Sequence, residues 1–301
     1  MILTYTIKDN KYQTVKEVLK AYFNISDRLL LKLKKNNKVL INGVISNINS
    51  SLSVNDTIEV LIDFEEDNSN IVPTEMNLNI IYEDEAYLII NKPAGIPVHP
   101  SMDHFTDSLS NSIKYYFDSI GLKKKIRPVN RLDKNTSGIV IFAKNEYIQE
   151  CLVKQMNNHM FYKEYIAICE GEFKQVNSVI NEPISRKENS IIERCVNEAG
   201  DTAITEYEVL CYNKRHNYSV VKCILKTGRT HQIRVHMSYI GHQILGDTLY
   251  GKSSELINRQ ALHAHEISFV HPLNKAKVSY TASLPEDFLK RDRFFFPFFL
   301  E

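Results

Sequence analysis

The sequence predicts an α+β protein of two units: a small N-terminal α/β module over residues 1–62 and a larger domain over 76–301, joined by a linker at 63–75. Three observations carry this expectation. Short runs rich in β-branched residues, such as Ile139-Val140-Ile141-Phe142-Ala143 and Tyr218–Leu225, read as strands. Between such runs, apolar residues recur at helical spacing: Leu109, Ile113, Tyr116 and Phe117, then Ile148, Leu152 and Met156. Finally, composition shifts at 63–70, which is acidic and polar and is followed by Pro73.

The bulk properties fit this division. At 301 residues, 43% hydrophobic and 24% charged, the chain can bury a sizeable core. No run approaches the ~20 apolar residues that span a bilayer, so no membrane association is expected. Met1–Ile7 lacks a basic segment followed by an apolar core, which points away from secretion and toward the cytoplasm. The five cysteines are odd in number and lack CxxC spacing, so they read as reduced thiols and neither a disulfide framework nor a zinc site. Net charge is only +1, but residues 1–62 carry nine basic residues against five acidic ones. The distribution, more than the total, bears on nucleic-acid binding.

Taken in order, Thr14-Val15-Lys16-Glu17 is a capping-box signature, with Val15, Val18, Leu19 and Tyr22 following at helical spacing. A second helix starts at Ser26. Leu29, Leu30 and Leu33 share one side of it, and Arg28, Lys32 and Lys35 fall at i, i+4 and i+7 on the other. Such stripes are mostly solvated faces. Here Lys38–Ile41, the tight turn Asn42-Gly43 and a strand at 57–62 follow, and together these features resemble the RNA-binding module named for ribosomal protein S four, over about 12–62. That resemblance implies phosphate contacts from Arg28, Lys32 and Lys35, which carry little sequence information.

In the larger domain, 78–82 and 87–90 read as strands around the turn Glu83-Asp84-Glu85. Pro93, Gly95, Pro97 and Pro100 then force a defined loop, in which Lys92 and His99 either shape the chain or touch phosphate. Arg127–Gly138 is a polar loop delivered onto the strand 139–143, followed by a helix over about 146–160. Residues 163–171 alternate as a strand, with Tyr165, Ala167 and Cys169 on one face. The stretch 172–200 reads as surface hairpins, and 205–212 and 218–225 as further strands. Thr230 is placed to cap a helix whose buried row is Ile233, Met237 and Ile240, ended by Gly241; His231 and Arg234 share a side away from that row. Phe294, Phe295, Phe296, Phe298 and Phe299 form an aromatic tail expected to pack on the sheet.

The chemistry-bearing set is one loop Asp, one strand Tyr and one helix-start Arg. GxGxxG and GxxxxGK[ST] are absent, and the histidines show no HExxH spacing, so neither cofactor nor metal is expected. A lone carboxylate does not fit the two-acid glycosidase scheme. It fits an Asp acting as nucleophile or base beside an Arg that keeps it ionised, and an aromatic near the acid suits stacking of a flipped base.

Several strings make this concrete: Lys92-Pro93-Ala94-Gly95; Arg131-Leu132-Asp133; Lys163-Glu164-Tyr165-Ile166-Ala167; Thr227–Arg234 with Gly246–Gly251 after it; and Leu262–Pro272. They resemble the motifs of the RluA/RluD-type pseudouridine synthases over about 75–275. The resemblance implies a catalytic domain on a mixed, largely antiparallel sheet. It also implies that Asp133 initiates cleavage of the uridine glycosidic bond, Tyr165 stacks on the base and could serve the final deprotonation, and Arg234 pairs with Asp133. Arg131 would enter the RNA helix in place of the flipped nucleotide, with Asn130, Arg229, His231 and Lys92 as further RNA contacts. The family usually has His where this chain has Asn130. Large-subunit ribosomal RNA is the expected partner, transfer RNA the second choice, and the protein is expected to be a monomer. A catalytically idle RNA-binding protein and an RNA glycosidase that releases uracil stay open as alternatives.

Overall fold

The computed structural model describes residues 1–289. The Phe-rich tail at 294–299 lies outside them.

The N-terminal unit begins with a strand absent from the sequence reading, β1 (Ile2–Thr6). Next come α1 (Val15–Glu17), which runs on as a wider π-helical turn over Val18–Tyr22, and α2 (Asp27–Lys35). The strands β2 (Val39–Ile41), β3 (Val44–Ile45) and β4 (Thr57–Leu61) complete an antiparallel sheet in the order β1-β4-β2-β3. Thr14 accepts from the Glu17 amide as expected, but the Glu17 carboxylate answers to the Gln13 amide, one residue outside a standard capping box. Asn42 (φ 50°) and Gly43 (φ 78°) are both left-handed, which gives the two-residue turn that suits twisted strands.

This unit does not hang free. One hydrophobic cluster runs from Leu3, Leu29 and Val60 into Ile141, Tyr147, Ile148, Leu152 and Phe269 of the larger domain. Polar contacts join the same surfaces: the Tyr147 hydroxyl donates to Phe23 O (3.1 Å), and Ser26 Oγ donates to Glu150 (2.7 Å). The acidic segment read as a linker is anchored as well. Arg127 grips the Glu66 carboxylate with two bonds of 2.6 Å, and the Ile126 amide donates to Asn68 Oδ1.

The larger domain runs β5 (Ile80–Glu83), β6 (Tyr87–Lys92), α3 (Leu109–Ser119), β7 (Ser137–Ala143), α4 (Glu146–Asn157) and β8 (Tyr162–Glu170). It continues with β9 (Asn177–Asn181), β10 (Ile184–Arg186), β11 (Arg194–Val196), β12 (Ile204–Asn213), β13 (Tyr218–Leu225), α5 (Gln232–Tyr239), β14 (Leu262–Val270), β15 (Lys277–Thr281) and α6 (Glu286–Leu289). Nine of these strands form one mixed sheet, ordered β5-β6-β7-β14-β8-β13-β12-β9, with β15 on β14. β7 and β14 are parallel where Ser137 faces His263 and Gly138 faces Ala264, and the other pairings are antiparallel.

Two local features place the site. Residues 127–130 lie along β7: Val129 N donates to Ile141 O, and Ala143 N donates to Arg127 O. The Asn130 side chain extends this ladder, donating to Ile139 O and accepting from Ile141 N, both at 2.9 Å. The foot of the Asp133 loop is therefore clamped to the central strand. The second feature corrects an expectation: Thr230 does not cap α5. His231 occupies that position with φ 58° and no side-chain cap bond, while Gln232 Oε1 accepts from Thr227 Oγ1 (2.8 Å) and Arg229 N (2.9 Å) to fold the loop.

Candidate active site

Asp133, Tyr165 and Arg234 arrive from a loop, a strand and a helix start, and they line one small recess of about 70 Å³ with Arg131, His231 and Leu262. Arg234 Nη1 donates to Asp133 Oδ2 at 2.8 Å. The expected pairing is present, but the fork of Arg234 belongs to another acid. Nε and Nη2 of Arg234 donate to the two oxygens of Asp247 at 2.7 and 2.8 Å. Burial works against the Arg234 charge, but Asp247 and Asp133 outweigh it and hold the guanidinium above its ordinary range. Among the described residues, Asp133 Oδ1 has no hydrogen-bond partner.

His231 stands against the same carboxylate, with Nε2 3.7 Å from Asp133 Oδ2. Its Nδ1 is 2.8 Å from the Tyr250 hydroxyl, which accepts the Arg194 amide at 2.8 Å. Burial lowers the pKa of His231 and the Asp133 charge opposes this, with a net shift downward. His231 is a non-glycine residue in the left-handed region beside the Asp133 carboxylate, the kind of strain that clusters at functional sites.

Tyr165 is half-buried, and its hydroxyl has no hydrogen-bond partner among the described residues. Burial first, and then the Asp133 charge, push the phenol above its ordinary range, so the ring stays neutral. To act as the final base it would first have to lose that proton. The ring itself forms part of the recess wall.

The remaining candidates divide. Arg131 is exposed at the mouth, and its guanidinium has no partner among the described residues. Arg229 lines the same cleft, with Nε donating to Thr202 O. Lys92 cannot touch RNA: it is fully buried, and its ammonium donates to the carbonyls of Pro93, Ile96 and Lys134 at 2.8, 2.9 and 3.0 Å. The Asn130 amide is bonded to β7 through both its nitrogen and its oxygen, although the residue lines the same cleft. The basic stripe on α2 is not uniform. Arg28 and Lys35 are exposed, but Lys32 turns inward to Glu146 (2.6 Å) and Glu66 (3.4 Å), over the Phe64 ring.

Sequence reasoning missed Asp247, Tyr250 and Lys163 as site residues. Lys163 lines the cleft and donates to Thr227 O, and strand alternation already put it on the Tyr165 face. Asp247 and Tyr250 lie in the string Gly246–Gly251, which reads as a motif without a role for either residue. Among the described residues no group of three His, Cys, Asp or Glu side chains is gathered as for a metal, and no helix is long and apolar enough to cross a membrane.

A recess with one carboxylate held open by a guanidinium, an aromatic wall and a free arginine at its mouth describes an enzyme that handles a base taken out of a nucleic acid. The chain belongs to the RNA pseudouridylate synthase family, which it matches over residues 86–239, and is thus an isomerase acting on RNA. It is 41% identical over 238 residues to the Bacillus subtilis (strain 168) protein named uncharacterized RNA pseudouridine synthase YhcT, covering 79% of each chain. It is 36% identical over 276 residues to the ribosomal large subunit pseudouridine synthase D of Blochmanniella floridana, covering 85% of each. Among solved structures, human RNA pseudouridylate synthase domain containing 1 superposes with a TM-score of 0.58 at 25% identity, covering 69% of this chain and 84% of that one.

Proposed function

We propose that this chain converts uridine to pseudouridine in large-subunit ribosomal RNA, with Asp133 as the group that opens the glycosidic bond. The observation that carries the reading is the state of Asp133: one oxygen held at 2.8 Å by Arg234, the other without a partner among the described residues. Such a carboxylate is oriented, yet retains an oxygen for a nucleophilic or basic step. Tyr165 supplies the stacking wall and Arg131 is free to replace the flipped base. The ribosomal target is supported by the likeness to a large-subunit synthase D along most of both chains. The N-terminal unit acts in this reading as an S-four-like docking surface, through Arg28 and Lys35, and the protein works as a monomer in the cytoplasm.

Mapping pseudouridine in ribosomal and transfer RNA from cells with and without this chain tests the target. Loss of a site in large-subunit RNA is expected; loss confined to transfer RNA would reassign the substrate. Asp133→Asn keeps the shape but can neither attack nor accept a proton. The purified variant should convert no uridine while binding RNA within about threefold of the parent. RNA mass should stay unchanged in the parent reaction, whereas release of free uracil would make the enzyme a glycosidase.

A further inference from the structure

We infer that Asp247 is a positioning residue for the reaction: by holding Nε and Nη2 of Arg234 it fixes the guanidinium so that Nη1 meets one oxygen of Asp133 and the second oxygen stays uncovered. This rests on Asp133 being the reacting group. A guanidinium free to turn beside a single carboxylate tends to pair with it through two parallel bonds, and such a pair would cover both oxygens of Asp133. Here the Nε–Nη2 side is anchored, at 2.7 and 2.8 Å, by a carboxylate only 1% exposed, and of the donors that remain only Nη1 bonds Asp133.

Asp247 is itself held. Its Oδ1 accepts from the amides of Leu249 (3.1 Å) and Tyr250 (3.3 Å), and Gly251 N donates to its carbonyl (2.9 Å). Gly246 before it has φ +72°, and a Cβ there would lie 2.3 Å from Arg259 O, so the turn has one shape. The same turn supplies Tyr250, whose ring lies 5.0 Å from the Arg234 guanidinium and whose hydroxyl meets His231. One short turn over 246–251 therefore orients two of the groups around Asp133.

The arrangement has an electrostatic signature. Two carboxylates share one cation, so Asp247 disfavours ionisation of Asp133 while Arg234 favours it. Removing the two charges should move Asp133 in opposite directions, which a residue needed only for packing would not do.

The test needs no substrate for its first arm. The Asp133 carboxyl carbon, identified by its loss in Asp133→Asn, is titrated by ¹³C NMR in the parent, Asp247→Asn and Arg234→Ala. The midpoint should fall by about half a pH unit or more in Asp247→Asn and rise in Arg234→Ala. An unmoved midpoint in Asp247→Asn, or one that rises as in Arg234→Ala, would overturn the proposal. The second arm is single-turnover conversion of ribosomal RNA. Asp247→Asn should lose about tenfold or more, and adding it to Arg234→Ala should cost nothing further. A further tenfold loss in the double variant would show that Asp247 acts by another route. If the parent converts no uridine, the pseudouridine reading fails and the NMR arm still decides this one. Should Asp247→Asn not fold, Asp247→Glu keeps the charge but displaces the fork; its rate should fall, and a parental rate would overturn the proposal.

Discussion

Among individual residues, Lys92 takes the first of the two roles its string allowed, shaping the chain, and does so by burial. Nothing in the string announces that three carbonyls will surround its ammonium. Those acceptors come from Pro93 and Ile96 nearby and from Lys134, 42 residues on, directly after Asp133. Burial first, then the Arg259 guanidinium, push Lys92 down to about 7, with the Asp133 charge opposing. Between that value and the ordinary lysine range, the unfolded chain holds a proton the folded one has released. The contribution of this group to stability therefore rises with pH from about 7, by about 1 kcal/mol per unit, and stays at its minimum below 7. Lys92→Met should destabilise by about 1–3 kcal/mol, since buried carbonyls lose their donor. The gap between parent and variant should widen from pH 7 to pH 9 in denaturant titrations; a constant gap would mean Lys92 does not titrate there. At Tyr165 the ring and the hydroxyl separate. Tyr165→Phe should bind RNA normally but turn over about 10²-fold more slowly, and Tyr165→Ala should also lose about 1–3 kcal/mol of binding. Identical behaviour of the two in binding and single-turnover assays would refute that division. Asp133, Tyr165 and Arg234 were legible because each lies in a long motif. Asp247 lies in the motif string Gly246–Gly251 as well, but its contact with Arg234 depends on a geometry that only the folded chain defines.

Elements read from periodicity mostly reappear: the rows predicting helices coincide with α3 and α4, and 218–225 is β13. Others escaped for identifiable reasons. β1 is a short alternation at the chain start, and its strand character is realised only through pairing with β4, whose residues 57–61 lie far along the chain. The α5 cap escaped because Gln232 folds the loop from inside, an option that competes with hydroxyl capping at Thr230. The element that matters most for the site is the foot of the Asp133 loop along β7. Asn130→Ala removes both side-chain bonds to that strand. It should cost about 1–2 kcal/mol in denaturant unfolding and lower turnover more than RNA affinity, because the loop keeps its shape less well. Loss of affinity with unchanged turnover would mean that Asn130 meets RNA after all. Gly138, where β7 meets β14, has φ +111°, and a Cβ there would lie 2.2 Å from Ala264 O. Gly138→Ala should therefore destabilise the protein by about 3 kcal/mol or more, seen as a lowered Tm.

For the whole molecule, the N-terminal unit and the larger domain share one hydrophobic cluster and an ion-pair chain of Lys32, Glu66, Arg127 and Glu146. A composition shift marks where the chain changes character, but it does not reveal whether the two sides pack together. The docking gives the α2 lysines and arginine two different jobs. Glu66 keeps a lowered pKa despite burial, because Arg127 and Lys32 compensate its charge, so the pair survives at neutral pH and weakens only as acid protonates it. Lys32→Gln should leave Glu146 without that cation and loosen the docking, at about 1–2 kcal/mol because Lys32 is partly exposed. It should lower Tm and leave the salt dependence of RNA binding unchanged. Arg28→Gln with Lys35→Gln touches no such pair. Tm should then hold, while the slope of log affinity against log salt should shrink by ~0.7–0.9 for each phosphate that the variant no longer neutralises. Measuring Tm and the salt slope on all three substitutions separates the roles. If Lys32→Gln flattened the slope as Arg28→Gln does, the α2 stripe would be a single RNA-facing surface and its inward ion pairs would yield to RNA.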